Sequence, residues 1–267
     1  MAQFKTNYDL ANGEKLEIND LESTYQLNFI EQFKDVAEFT QASWNLSTLF
    51  FKEIGGIRKL SPKQKASILC IGKSQRLLRA AYLLTERGLW IEAIPLMRTQ
   101  YELQLLFFYI FQDESDKRAK KWLSAKNPKE RWPVKEMQKV FGDLEDSTAK
   151  LYESLSLNPH NHFLSFSPFI AFEEDNFLFQ QGPLGGDENN KRAINSLGHM
   201  ANANASFCEI AKPYFSISEK WDKEHAKLQA LPYYLEIAKR AEKILNQSQN
   251  NLDNIVGFVD SLYPKVE

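Results

Sequence analysis

Two charged residues stand in the most apolar part of this chain. Arg98 and Glu102 lie four apart within LMRTQYELQLLFFYI, so on a helix they share one face, and taking both charges out of water without partners is costly. The spacing fits two roles, an internal ion pair tying helices together or a catalytic or ligand-binding pair at a cleft. His160 and His162 alternate in LNPHNHFLSF, just after a helix stop. A His-x-His pair can ligate a metal, but no carboxylate or thiolate stands beside it at a recognised spacing, so no metal is expected. His160 is instead a candidate for proton transfer or phosphate binding, since imidazole titrates near neutral pH, or for capping a helix end.

A third set is Arg192 and His199, seven apart with Asn195 between them. Two helical turns return both to one face, where one anion can meet both. The spacing Arg-x6-His resembles the Arg-x(4 to 6)-His pattern of HEPN-type helical ribonucleases and nucleotide-binding domains. Ala193 stands where that pattern usually has a polar residue, and Gly198 precedes the histidine. His225, within WDKEHAKL, reads as solvent-facing among its charges. No Gly-x-Gly-x-x-Gly, Gly-x4-Gly-Lys-Ser/Thr, Gly-x-Ser-x-Gly or His-Glu-x-x-His occurs, so dinucleotide, P-loop, α/β-hydrolase and zincin chemistries lack their sequence support, and no cofactor is expected.

Charge is distributed unevenly. Ile54 to Thr85 holds seven basic residues and no acid, and Lys117 to Lys135 holds eight basics against Glu130; two segments of +7 within a net charge of −2 leave −16 on the remainder. Such asymmetry makes a positive surface on a nearly neutral protein. The second segment interleaves Trp122 and Trp132 with its cations, a pairing of phosphate contacts with stacking faces. Lys120, Lys121, Trp122, Arg131 and Trp132 are therefore the candidate polyanion-binding residues. The competing description is a short amphipathic helix with solvated lysines outside and docked indoles inside. Lys65, Lys73, Arg76 and Arg79 also share an arc of about 120° on a helix, but Leu69 and Ala80 lie in the same arc and argue for partial burial there.

The elements that must position these residues are helical. Residues 1–20 lack periodicity and carry the Asn12-Gly13 turn signal, which describes a flexible or hairpin-like arm. Apolar residues then recur at three and four from about Leu21 to Ile54, and Gly55-Gly56 closes that helix. Ser61, Pro62 and Gln64 supply a cap, a first-turn proline and a capping-box partner for a helix that ends at Gly88. Trp90 to Phe111 is apolar around most of its circumference, which makes it the central buried helix, with Gln100 and Gln104 adding a polar seam. Shorter helices are expected at about 115–124, 134–141 and 144–155. The Phe-rich, turn-rich stretch 163–190 is expected to form a short β-hairpin or loop insertion. Helices return over about 187–215, 219–246 (kinked at Pro232) and 252–262. The fold class is all-α, one multi-helix domain over residues 21–267.

Composition agrees with this. Gly 11 and Pro 10 in 267 residues fall below average usage, and 43% apolar with 13% aromatic residues suffice for a core. Cys70 and Cys208 are too few for a disulfide framework. The N-terminus lacks a signal pattern, and the longest apolar run, Leu105 to Phe111, is too short to span a bilayer. A cytoplasmic protein that engages no membrane is expected.

Gly88, Glu92, Ala93, Arg98, Glu102, Tyr152, Ser156 and His160 together resemble an uncharacterised bacterial family of helical proteins, a domain of unknown function, over about residues 60–165. That resemblance implies that Arg98, Glu102 and His160 meet in space, and it associates the chain with accessory or antiviral host-defence proteins. Two functions follow as expectations. One is a non-enzymatic helical interaction or effector module that organises a protein partner or a homo-oligomer. The other is a metal-independent, HEPN-like ribonuclease or nucleotide-acting effector using His and Arg at a helix-lined site and binding RNA or a nucleotide. The sequence leaves enzymatic status open between them.

Overall fold

The computed structural model describes residues 23, 26, 27, 29–127, 130, 132–139, 170–173, 176–179 and 187–239. Seven helices account for most of them: α1 (Lys34–Ile54), α2 (Pro62–Thr85), α3 (Trp90–Gln112), α4 (Lys117–Ser124), α5 (Val134–Gln138), α6 (Asp187–Ala211) and α7 (Glu219–Gln229). Two four-residue strands, β1 (Ile170–Glu173) and β2 (Asn176–Phe179), pair antiparallel with Ile170 opposite Phe179. The expected 144–155 and 252–262 helices, the arm over 1–20 and the rest of the Phe-rich stretch lie outside the described residues.

Both ends of α2 are fixed by local chemistry. The Gln64 backbone N–H donates to Ser61 Oγ (3.2 Å) and the Ser61 N–H donates to Gln64 Oε1 (2.7 Å), a complete capping box with Pro62 in the first turn. At the other end the Leu89 N–H reaches the Leu84 carbonyl (2.9 Å) and the Gly88 N–H that of Thr85 (3.0 Å). This Schellman closure needs a left-handed residue, and Gly88 supplies it with φ 79°. Short connections then make α1, α2 and α3 successive antiparallel neighbours.

Small residues on the inner side of α2 set how closely the others approach. Ala66, Ser67, Cys70, Ile71, Ser74, Leu78 and Ala81 are buried there, and the helix packs on α1, α3, α4 and α6. α3 buries nearly its whole circumference, exposing only Glu92, Pro95 and Gln112 among its described side chains. Phe107 ties it to α6 by stacking on Phe207 at 4.3 Å, and stacks on Phe111 of its own helix at 4.3 Å. Of the expected polar seam on α3, Gln100 donates to Ser74 Oγ (2.8 Å); between α1 and α6, Ser43 donates to the Ala201 carbonyl (2.6 Å) and Asn204 donates to the Ser43 carbonyl (3.0 Å). Buried hydrogen bonds of this kind specify which helix faces meet.

Three boundaries differ from the sequence reading. A turn at Phe33 interrupts the first helix, so α1 begins at Lys34 although residues 29–32 before it are helical. Pro213 lacks a donor, and the last turn after α6 tightens to a 3-10 segment over Lys212–Tyr214. Pro232 breaks the next helix rather than kinking it: α7 stops at Gln229 and residues 232–239 start a new helix, with proline at the first position where its missing N–H is harmless. Replacing Ser61 with Ala removes half of the capping box and should lower the unfolding free energy by about 1 kcal/mol, while Thr at that position retains most of it. Urea unfolding measures both, and an unchanged midpoint for Ser61→Ala contradicts this account of the helix start.

Candidate functional site

The outer side of α2 is a single charged stripe. Its exposed residues are Lys65, Leu69, Lys73, Arg76 and Arg79, spaced four, four, three and three apart. At 1.5 Å per residue they run along about 21 Å of one helix face. Leu69 is 53% exposed at that face, so the expectation that it would draw the arc into the core is not met. The residues at 66, 67, 70, 74, 78 and 81 already fill the inner side. None of the four cations makes a salt bridge among the described residues, and α2 carries no acid. Arg79 leans over the ring of Tyr82 at 6.0 Å. Lys63, at the start of the same helix, behaves differently. Only 4% exposed, it sends its ammonium toward the Glu114 carbonyl (3.4 Å) and the face of Tyr214 (5.3 Å), because the end of α3 and the Lys212–Tyr214 turn close over it.

The second basic segment folds back onto α3. Arg118 donates to the Tyr109 carbonyl (2.7 Å) and lies 3.9 Å from the Tyr109 ring. The Tyr109 hydroxyl donates to Glu136 Oε1 (2.7 Å), and the buried Trp132 packs on the same ring at 5.0 Å under Lys121. Trp122 is half-buried against the core, while Lys120 and Lys121 are exposed. The indoles of this segment are thus engaged internally, and Arg131 lies outside the described residues. Asp113 caps the start of α4 by accepting from the Arg118 N–H (3.0 Å) and from Ser115, and these bonds hold its carboxyl below the usual carboxylate range.

Arg98 and Glu102 form an i, i+4 pair at 3.2 Å with side chains 20% and 38% exposed, and each makes a further interaction. They sit at a partly wetted edge of α3 rather than in its core. His160 and His162 lie outside the described residues, so their meeting with this pair is not described. On α6, Arg192 stands in the helix, and the half-buried His199 follows two turns on. The Tyr233 ring lies directly on Gly198, where any Cβ would collide with it, and on Phe39 at 5.4 Å. The glycine beside His199 therefore has a packing reason.

Residues 64–145 match a family of unknown function (DUF5677). The matched segment contains Arg98, Glu102, the whole outer face of α2 and the α4–α5 region, and it lies within the span of the resemblance read from the sequence. His160, Arg192 and His199 fall outside it. No curated protein and no solved structure matches the chain, so the likeness to HEPN-type domains stands on the Arg192–His199 spacing alone. Among the described residues no helix is long and apolar enough to cross a membrane, and no group of three or more His, Cys, Asp or Glu residues gathers. Both thiols are inert by burial, which pushes Cys70 up to about 12 and Cys208 well above its ordinary range.

A shallow cleft of about 610 Å³ lies between the α1–α2 loop and the turn after α6, lined by Glu53, Ile57, Gln64 and Tyr214 among others. Two of its polar side chains, Gln64 and Glu53, are already engaged. Gln64 donates to the Tyr214 carbonyl (2.6 Å), and Glu53 accepts from the Ser218 N–H (3.2 Å) and Oγ (2.8 Å).

His225 corrects the sequence reading, since it is buried rather than solvent-facing. It lies against Trp221 at 4.8 Å, and burial holds its pKa below the ordinary 6.5 despite Glu209 and Asp222, with Lys212 adding to the fall. Folding therefore favours the neutral imidazole. That contribution is complete above about 6.5 and is lost as the pH falls below it, because the unfolded chain takes the proton first. The melting temperature should drop between about pH 7 and pH 5, and His225→Gln should flatten that slope. An equal slope in both proteins contradicts the assignment.

Proposed function

We propose that this protein is a non-enzymatic helical interaction module that docks a negatively charged partner along the outer face of α2. The observation that carries the reading is the stripe of Lys65, Lys73, Arg76 and Arg79, exposed on one face with no salt bridge among the described residues. A helix that needed charge only for solubility would mix both signs. Here one sign is concentrated while the remainder of the chain, outside the two basic segments, carries −16. Individual exposed ion pairs contribute only about 0.2–1 kcal/mol each, so the row acts through its number and through steering of an oppositely charged surface. Leu69 in its midst supplies the apolar contact that charges alone lack. The α4–α5 lysines extend the positive field but give up their aromatic faces to Tyr109 and the core.

Retention of the full chain on a sulfated polysaccharide matrix tests this reading. The wild type should be held at low ionic strength and released by salt, and Lys73→Glu with Arg76→Glu should elute markedly earlier while keeping its circular dichroism. Passage of the wild type through the matrix unretained, or identical elution of the two proteins, overturns it.

A further inference from the structure

We infer that the partner of the α2 face is the α1 face of a second copy of this chain, an inference that rests on the reading above. The first turns of α1 and the helical residues before it present Leu27, Ile30, Glu31, Asp35 and Glu38 to solvent. Leu27 is 72% and Ile30 45% exposed, two of only six large apolar side chains so exposed among the described residues. The three carboxylates make no salt bridge among the described residues. Lys34 shares their arc, three residues from Glu31 and four from Glu38, and leaves the face at −2.

The two faces match in spacing as well as in sign. On α1 itself Asp35 and Glu38 stand three apart, the spacing of Lys73 and Arg76 or of Arg76 and Arg79 on α2, so two carboxylates can face two cations; Leu27, Ile30 and Glu31 precede them on the helical segment before the Phe33 turn. Each face thus offers an apolar anchor beside a charged row, the arrangement of a small protein interface. A nucleic acid fits less well, because phosphates make no use of Leu69 and Ile30, and Tyr82, beside the stripe, is half-buried. Within one chain both faces are exposed, so the contact joins different molecules. The surfaces are unlike, which makes the contact heterologous and lets copies close into a ring or extend as a chain. A single helix pair with charges at its margin gives weak, salt-sensitive association.

Sedimentation of the full-length protein decides this. The wild type should self-associate at low ionic strength and dissociate as salt rises. Lys73→Glu with Arg76→Glu, and separately Asp35→Lys with Glu38→Lys, should each lose the assembly by setting like charges against one another. An equimolar mixture of the two variants restores opposite signs at every contact and should assemble again, which also shows that both are folded. A monomeric wild type at low salt, or a mixture that stays monomeric, overturns the inference. If the wild type is then still retained on the sulfated matrix, or shifts a DNA duplex, the α2 face binds an anionic partner other than this chain; if it is not retained, the underlying reading falls too.

Discussion

α2 has to bury one side against three long helices while leaving the other side bare, and the rest of the described structure is arranged around that division. Alanine, serine and cysteine on its inner side let α1, α3 and α6 approach closely enough to share one core. The capping box and the Gly88 closure fix where the helix starts and stops, and so fix its rotation relative to its neighbours. A shift of one residue would turn the row by about 100° and carry cations into the core. Hydrogen bonds from Gln100 to Ser74 and from Gln75 to Thr48 Oγ1 oppose that shift because slipping would leave them unmet.

The elements whose signals are local were legible in the sequence. Ser61-Pro62 with Gln64, Gly88 and the apolar circumference of Trp90 to Phe111 each state a start, a stop or a degree of burial through interactions within a few residues. The interruption at Phe33 and the clean break at Pro232 were not, since a periodic apolar pattern carries through both places.

Side-chain environments set by distant segments were the least legible. Lys63 looks like its neighbour Lys65, yet it is covered because Glu114 and Tyr214 arrive from elsewhere in the chain. His225 sits among charges in sequence but faces Trp221 across one turn of α7. Trp132 looks like a stacking platform and is instead held by Tyr109 and Lys121. For Leu69 the opposite occurs: an apolar residue on a cationic arc suggests burial, but the small residues beside it have already filled the contact. Arg98 and Glu102 do pair, as their spacing implied, at a half-exposed edge.

The division of α2 into a covered and a bare side is the claim on which the functional account stands, and amine reactivity reads it directly. Brief acylation of the native full-length chain, with each lysine quantified by mass spectrometry, should modify Lys65 and Lys73 rapidly and Lys63 far more slowly, the three becoming equivalent after unfolding in urea. Equal reactivity of Lys63 and Lys65 in the native protein, or protection of Lys73 under conditions where the chain is monomeric, would contradict it.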